Sequence, residues 1–176
     1  MALKEPDRFS GLIDKLVEAS AMYLVAQLRA GADAVQIFDS WAGILGGEQF
    51  EKWCVEPVTR LVQAVRKEIP DAKIIGFPRM AGSQYCGYRE KTGVDAIGLD
   101  WAVPLNQARQ LQNEGPVQGL LDPLRLIAGG SALDEGVDAI LNELGHGPLI
   151  FNLGHGITPD APIAHVEQLL KRIRGS

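Results

Sequence analysis

The chain has 176 residues and a net charge of -5, with 46% apolar and 22% charged residues. This composition is typical of a globular protein, and the length predicts one domain over residues 1–176. The negative charge argues against a general nucleic-acid binder, which needs clustered Lys and Arg. A polyanionic substrate would need a local positive patch, because the overall field repels it.

The two cysteines, Cys54 and Cys86, form no CxxC motif, so they favour a reducing compartment over a disulfide scaffold. Residues 1–20 mix charges with apolar residues and lack a signal-peptide core. No stretch of the sequence reaches the roughly 18 apolar residues of a membrane span. We therefore expect a cytoplasmic protein that is not embedded in a membrane.

The first predicted element is a helix, because apolar residues recur at helical spacing from Leu12 to Leu28 and Gly31 follows as a C-cap. Short apolar strands then alternate with further helices. The predicted strands are 34–38, 73–77, 95–99, 117–121 and 149–153. The predicted helices are 49–68, 83–92, 104–113, one that opens at 123, 133–144 and 163–172.

The pentapeptide Gly-Val-Asp-Ala-Ile occurs twice, at Gly93 and at Gly136. The first copy precedes Gly98 and Asp100-Trp101, which break a helix, so we predict a strand. The second copy lies within a 3.6-residue apolar period, so we predict a helix.

Short, continuously apolar strands that alternate with helices predict an α/β protein with a parallel sheet covered by helices. Two architectures fit this order. A five-stranded doubly wound sheet would be complete by itself. A (β/α)8 TIM barrel would need three more strands than the five predicted here. The strand count favours the open sheet, and the sequence motifs described below favour a partial barrel.

Ligands bind beyond the carboxyl ends of the strands in either architecture. Each predicted strand is followed by a polar or charged residue beside a glycine, proline or tryptophan, which predicts a functional rim. The five segments are Asp39-Ser40-Trp41-Ala42-Gly43, Pro78-Arg79-Met80-Ala81-Gly82, Asp100-Trp101, Asp122-Pro123 and Gly154-His155-Gly156.

Several of these side chains have a purely structural alternative. Ser40 could bind a ligand or cap the following helix. Asp122 before Pro123 is typical of a helix cap. Asp39 and Asp100 could serve acid-base chemistry, although we favour a role as acceptors of backbone N–H groups that order their loops.

His155 is a candidate ligand-binding residue, because Gly154 and Gly156 let backbone and ligand approach it closely. Arg79 could clamp a carboxylate, or it could be a surface arginine paired with an acidic residue. The other two histidines, His146 and His165, are assigned to a helix end and a helix surface.

Several chemistries lack their sequence signatures. No Gly-x-Gly-x-x-Gly follows a strand, and no Gly-Lys-Ser/Thr phosphate loop or Gly-x-Ser-x-Gly elbow occurs. His155 has no nearby cysteine, so we expect no zinc site and no bound metal.

Four segments together resemble uroporphyrinogen decarboxylase across essentially the whole chain. They are Ile37-Phe38-Asp39-Ser40-Trp41-Ala42-Gly43, Gly98-Leu99-Asp100-Trp101, Leu121-Asp122-Pro123 and Phe151-Asn152-Leu153-Gly154-His155-Gly156-Ile157. Gly76-Phe77-Pro78-Arg79 is also similar to a pattern of the bacterial members.

The resemblance implies the C-terminal part of a single-domain (β/α)8 barrel, usually a homodimer, that acts in haem synthesis. The family removes CO₂ from the four acetate side chains of uroporphyrinogen without a metal or organic cofactor, giving coproporphyrinogen. By analogy with the family, Ser40 and His155 contact the substrate. We add Arg79 as a third candidate substrate-binding residue, because it is charged and lies at a strand end. No catalytic residue is assigned, because the family's principal acid belongs to an N-terminal half that the sequence lacks. Five strands of an eight-stranded barrel would leave two open edges, so the chain should pair with that half, dimerise or aggregate.

The sequence departs from the family pattern at two positions, where Leu120 replaces a common asparagine and Met80 a usual glycine. Three alternatives remain. A cobamide-dependent methyltransferase of the same barrel superfamily typically carries a His-x-Cys zinc motif, whereas Gly156-Ile157 follows His155 here. A half-barrel could be a non-catalytic interaction module. A flavodoxin-like domain would need a glycine-rich loop where Trp41 stands.

Overall fold

The computed structural model describes residues 1–175, in which five parallel strands alternate with helices. This order confirms the predicted α/β class. The chain divides into two compact units, Met1–Ala96 and a second unit that begins at Ile97. None of the helices in the described residues has the length and apolar composition of a membrane span.

The first unit contains two parallel strands, which run in register from Val35 opposite Ile74 to Asp39 opposite Pro78. Its elements are α1 (Pro6–Arg29), β1 (Val35–Asp39), a 3-10 turn (Ala42–Ile44), α2 (Gly47–Phe50), a π-helical segment (Glu51–Val55), α3 (Glu56–Glu68), β2 (Ile74–Pro78), a 3-10 turn (Gly82–Tyr85) and α4 (Tyr88–Thr92).

Helix α3 buries one face, formed by Val58, Leu61, Val62 and Val65. This i, i+3, i+4, i+7 spacing is the apolar stripe of an amphipathic helix. Helix α1 packs against α3. Burial of this stripe, rather than surface charge pairs, therefore holds the helical layer of the first unit together.

The second unit contains three parallel strands, with the central strand β4 buried along its whole length. Val117 of β4 lies opposite Ile97 on one side and Leu149 on the other. The elements are β3 (Ala96–Leu99), which starts at the last residue of the first unit, α5 (Leu105–Glu114), β4 (Val117–Leu121), α6 (Pro123–Ala128), α7 (Gly130–Leu144), β5 (Leu149–Leu153) and α8 (Ile163–Arg174).

The two copies of Gly-Val-Asp-Ala-Ile adopt different structures, as predicted. In the first copy Asp95 precedes β3 and accepts hydrogen bonds from Arg66 Nη2 at 2.9 Å and from the backbone N–H of Ile74 at 2.8 Å. In the second copy Asp138 lies within α7 and pairs with Arg172 of α8. Each aspartate has an arginine partner, but the surrounding apolar period decides the backbone conformation.

Two predicted helices are more irregular than the apolar pattern indicates. The predicted helix 49–68 is divided by the π-helical segment Glu51–Val55, and the predicted helix 83–92 is broken at Cys86 and Gly87. Gly87 has a φ of 71°, a left-handed conformation that interrupts a right-handed helix. The remaining elements match the predicted order, and β4 and β5 have the predicted bounds.

Met80 and Leu120 are the two non-glycine residues with positive φ in the part of the chain that the structure describes, at 59° and 78°. In the family that the sequence resembles, we expect a glycine and an asparagine at these positions. Glycine and asparagine adopt left-handed backbone conformations most readily. Met80 lies in the loop after β2 and Leu120 lies within β4, and each occupies a backbone conformation that is strained for a residue with a Cβ.

Candidate functional site

In the first unit, the loops that follow β1 and β2 are tied together by backbone hydrogen bonds. The N–H of Arg79 donates to the carbonyl of Asp39 at 3.0 Å, and the N–H of Gly43 donates to the carbonyl of Arg79 at 3.0 Å. The parallel register of the two strands places both loops at the same edge, because Asp39 lies opposite Pro78.

The close approach of these loops requires glycine at position 43. A Cβ added to Gly43 would lie 2.4 Å from the carbonyl oxygen of Met80, a backbone atom that cannot move freely. The motif Asp39-Ser40-Trp41-Ala42-Gly43 thus contains a glycine because of packing. Loop geometry therefore explains this feature of the sequence.

The structure brings Ser40 and Arg79 together. Arg79 Nη1 lies 3.4 Å from the carbonyl oxygen of Ser40, and both residues are partly exposed. The two adjoining loops together form a surface that carries a guanidinium and a hydroxyl group. Such a surface is suited to carboxylates, which accept paired N–H and O–H donors.

In the second unit, the segment after β5 lies against the segment after β3. The N–H of Gly154 donates to the carbonyl of Leu121 at 2.7 Å. A Cβ added to Gly154 would lie 2.4 Å from the backbone nitrogen of Trp101. Of the two glycines beside His155, Gly154 therefore allows the backbones to meet, whereas a Cβ at Gly156 would have nothing within 4 Å.

His155 is partly exposed and its imidazole lies beside the indole of Trp101, with ring centroids 6.2 Å apart. The two ring nitrogens of an imidazole can act as hydrogen-bond donor and acceptor. The second unit therefore presents a histidine that can hydrogen-bond to a polar ligand.

The structural alternatives for two of the rim aspartates are confirmed. The Asp122 side chain accepts a hydrogen bond from the N–H of Leu124 at 2.9 Å and caps α6. Asp100 is buried, with 1% of its surface exposed, and accepts from the N–H of Ala102 at 2.9 Å. Both carboxylates order local backbone.

The other two histidines lie near the predicted places. His146 follows the end of α7 and is exposed. His165 lies on α8 but is only partly exposed, because its Nδ1 is 2.9 Å from the carbonyl oxygen of Leu126. It is therefore a packing contact between α8 and α6 rather than a solvated surface residue.

A polar cluster beneath the end of β1 has no signal in the sequence. Asp39 and the buried Cys54 line one cavity of the first unit. The hydroxyl of Tyr88 is buried and has no hydrogen-bond partner among the described residues. Gly76 of β2 makes room for Tyr88, because an added Cβ would lie 2.9 Å from its ring. No local sequence pattern links these residues, which come from four different segments.

The environment of this cluster favours the protonated forms of both groups. Burial, followed by the charge of Asp39, raises the pKa of the Cys54 thiol above its ordinary value. Burial also raises the pKa of Tyr88 well above 10.0, with further contributions from Cys54 and Asp39. Both groups therefore remain neutral at physiological pH.

No group of three or more His, Cys, Asp and Glu side chains with the geometry of a metal site occurs within residues 1–175.

Comparison with known proteins agrees with the sequence motifs. The sequence model of the uroporphyrinogen decarboxylase family matches residues 1–176. A uroporphyrinogen decarboxylase from Brucella anthropi is 62% identical over 174 residues, which cover 99% of this chain and 51% of that protein. The Brucella canis protein of the same name has the same identity and coverage. The chain thus spans about half the length of the curated relatives it matches.

A methyltransferase from Methanosarcina mazei has a similar solved structure, with a TM-score of 0.78 and 18% sequence identity. The match covers 99% of this chain and 51% of the methyltransferase chain. This likeness shows the fold alone, which is part of a (β/α)8 barrel rather than a complete doubly wound sheet. Together with the family match and the 62% identity, it leads to one assignment. The chain belongs to the uroporphyrinogen decarboxylase family.

Proposed function

We propose that this chain supplies substrate-binding loops for the decarboxylation of uroporphyrinogen to coproporphyrinogen. The observation that carries the proposal is the 62% identity to uroporphyrinogen decarboxylases over nearly the whole chain. The substrate carries many carboxylates on a tetrapyrrole, and the net charge of the chain is -5. Binding would therefore depend on local donors rather than on the overall field.

Arg79, Ser40 and His155 are the proposed donors. The Arg79 guanidinium lies beside the Ser40 loop and could hold a substrate carboxylate with paired N–H groups. His155 has an aromatic neighbour that restricts its ring, so it could donate to a second polar group of the substrate. These residues would bind and orient the substrate, and no residue of this chain is proposed as the principal acid.

Decarboxylation by this chain would also depend on further polypeptide that completes the barrel. Phe38 of β1 is 65% exposed and Ile150 of β5 is 43% exposed, although strands of a parallel barrel are normally covered on both faces. The relatives are about twice as long as this chain. We propose that the part of a relative that this chain does not match covers these strands.

Substrate binding tests the first part of the proposal. Anaerobic titration with uroporphyrinogen should show saturable binding, weakened about tenfold in Arg79→Ala and in His155→Ala, since each removes a charged or polar hydrogen bond. The matched controls are Arg174→Ala and His146→Ala, whose side chains lie outside the candidate loops. Equal binding by all four variants would contradict the assignment.

Complementation tests the second part. The chain should gain decarboxylase activity when mixed with the unmatched half of the Brucella anthropi relative, and sedimentation should show a 1:1 complex. A stable homodimer that does not bind this half would contradict the proposal that it covers the strands. The role of the loops would still be tested by the binding measurement.

A further inference from the structure

Asn152 lies on the face of strand β5 that helix α7 does not cover. Helix α7 covers the Leu121 side of β4, because a Cβ added to Gly136 of α7 would lie 3.1 Å from the Leu121 Cδ1 atom. Leu121 is in register with Leu153, so Leu153 of β5 lies on that side too. Side chains alternate along a strand, which places Asn152 on the opposite face. The burial agrees, since Asn152 is exposed and Leu153 is half-buried.

Asn152 also lies at the end of the strand where ligands bind. It is the last but one residue of β5, and His155 follows it in the same motif. In a (β/α)8 barrel the helices lie outside the strands, so the face away from α7 is the inner one. Active-site residues come from the carboxyl ends of the strands. Asn152 and His155 are therefore two polar side chains at one strand end.

A backbone hydrogen bond fixes which way the Asn152 carboxamide faces. The N–H of Leu153 donates to the Asn152 Oδ1 atom at 2.8 Å. A backbone N–H can bond only to the amide oxygen, so the NH₂ group points away from this contact. Within residues 1–175 the NH₂ group donates to no other group, and the side chain of Leu120, opposite in register, offers no acceptor. Asn152 thus presents two unused donors on an exposed face.

The donor character of this group selects the chemical class of its partner. The pyrrole N–H groups of a porphyrinogen are donors themselves, and the Asn152 oxygen already accepts from Leu153. Carboxylates are acceptors only, and hydrogen bonds to a charged acceptor are stronger than neutral ones. The two N–H donors of Asn152 therefore suit a substrate carboxylate rather than a pyrrole nitrogen.

We propose that Asn152 is a specificity-determining residue that donates its carboxamide N–H groups to a carboxylate side chain of the substrate. This rests on the proposed function, and it adds a neutral donor to the candidate residues Ser40, Arg79 and His155. Because the carboxamide is neutral, it holds the carboxylate by directed hydrogen bonds rather than by opposite charge.

Two substitutions separate substrate binding from capping of the backbone. Asn152→Ala removes both the donors and the oxygen that Leu153 binds, whereas Asn152→Asp keeps an acceptor oxygen but replaces the donors with a negative charge. In anaerobic titrations uroporphyrinogen should bind about tenfold more weakly to Asn152→Ala, and at least as weakly to Asn152→Asp. Amide exchange of Leu153 should accelerate in Asn152→Ala alone.

Asn106 provides the matched control. It is exposed at the start of α5, and its Oδ1 atom accepts from the N–H of the next residue, Gln107, at 3.0 Å. Asn106→Ala and Asn106→Asp therefore make the same changes to the same kind of local contact, but on a helix rather than on the inner face of a strand. Both variants should bind uroporphyrinogen with the affinity of the unmodified chain.

The side-chain NMR signals of Asn152 report the contact directly. In the ¹⁵N-labelled chain its NH₂ resonances can be identified by their loss in Asn152→Asp. They should shift as uroporphyrinogen is added and reach a plateau when binding is saturated, while the NH₂ resonances of Asn106 should not move.

The outcomes distinguish this proposal from the proposed function. Weaker binding by both Asn152 variants, with normal Leu153 exchange in Asn152→Asp, supports both. Saturable binding that is equally strong in the unmodified chain and both variants overturns the role of Asn152 and leaves the proposed function supported. Weaker binding by Asn152→Ala alone also overturns that role, because it assigns the side chain to capping Leu153. No saturable binding by the unmodified chain contradicts the proposed function and the role of Asn152 together.

Discussion

The imidazole of His155 lies beside the indole of Trp101, with ring centroids 6.2 Å apart and ring planes inclined by 34°. The two residues follow different strands, β5 and β3. Their proximity depends on Gly154, where any Cβ would lie 2.4 Å from the Trp101 backbone nitrogen. The glycine before the histidine therefore determines where the ring lies.

Gly154→Ala should destabilise the protein and displace His155 from Trp101. The added methyl group meets backbone atoms, and such overpacking typically costs about 1–3 kcal/mol. Gly156→Ala adds the same group where no atom lies within 4 Å, so its free energy of unfolding should change by less than about 0.5 kcal/mol. Chemical denaturation measures stability, and NMR contacts between the two rings report their separation. Equal effects of the two substitutions would contradict this account of the motif.

Met80→Gly should stabilise the protein by about 1 kcal/mol, because it removes a side chain from a left-handed backbone position. Met80 is 50% exposed, so little packing is lost. Leu120→Gly should relieve similar strain but be destabilising overall, since Leu120 is 6% exposed and its buried side chain contributes more than the strain costs. Urea denaturation checks both signs, and a loss of stability in Met80→Gly would be the contrary result.

Asp122→Ala should lower the free energy of unfolding by about 1 kcal/mol, because it removes the N-cap of α6. Asp122→Asn keeps an acceptor oxygen and should remain within a few tenths of a kcal/mol of the original stability. Thermal unfolding compares the two variants. Identical losses would indicate that the charge, rather than the capping bond to Leu124, is what stabilises this helix.

Stability should fall as the pH rises above about 9. The folded state raises the pKa of Cys54 and Tyr88 above their ordinary values of 9.0 and 10.0, so both stay protonated after the unfolded chain has ionised. Their stabilising contribution is therefore complete below the unfolded pKa values and is lost toward alkaline pH. Denaturation between pH 7 and 10.5 under reducing conditions measures the slope. The Cys54→Ala/Tyr88→Phe variant should have a flatter profile, and an unchanged slope would contradict the assignment.

The two thiols should react at very different rates with a maleimide. Cys86 is exposed, whereas Cys54 is 1% exposed and its pKa is raised by burial, so little reactive thiolate forms. One equivalent should react rapidly in the folded protein and the second only after unfolding. Mass spectrometry identifies the labelled residue. Cys86→Ala should lose the rapid phase, and rapid labelling of Cys54 would contradict its burial.

Much of the fold could be predicted from the sequence because most elements have local signals. Strand β4 is apolar apart from Gln118 and is followed by Asp122-Pro123, so its bounds follow from residue type and helix-cap chemistry. The π-helical segment has no such signal. Its run Trp53-Cys54-Val55 is apolar at every position and fits several helical periods equally well.

The candidate site could be predicted only in part for a related reason. Ser40, Arg79 and His155 stand at strand ends, where chain position alone indicates a binding rim. Cys54 and Asp39 line one cavity, although they are 15 residues apart and Cys54 lies in a π-helical turn that propensity does not reveal. The structural need for Gly154 likewise depends on Trp101, which lies on a different strand connection.

The π-helical segment also constrains insertions and deletions in this part of the chain. A π turn closes its hydrogen bonds over one more residue than an α turn, which advances the following helix by about 100° around its axis. Deleting Lys52 would remove an exposed side chain yet rotate the apolar stripe of α3 away from its packing surface. Substitutions at Lys52 should therefore be tolerated where a one-residue deletion is not, so homologous sequences should keep the residue count here even where they vary in composition.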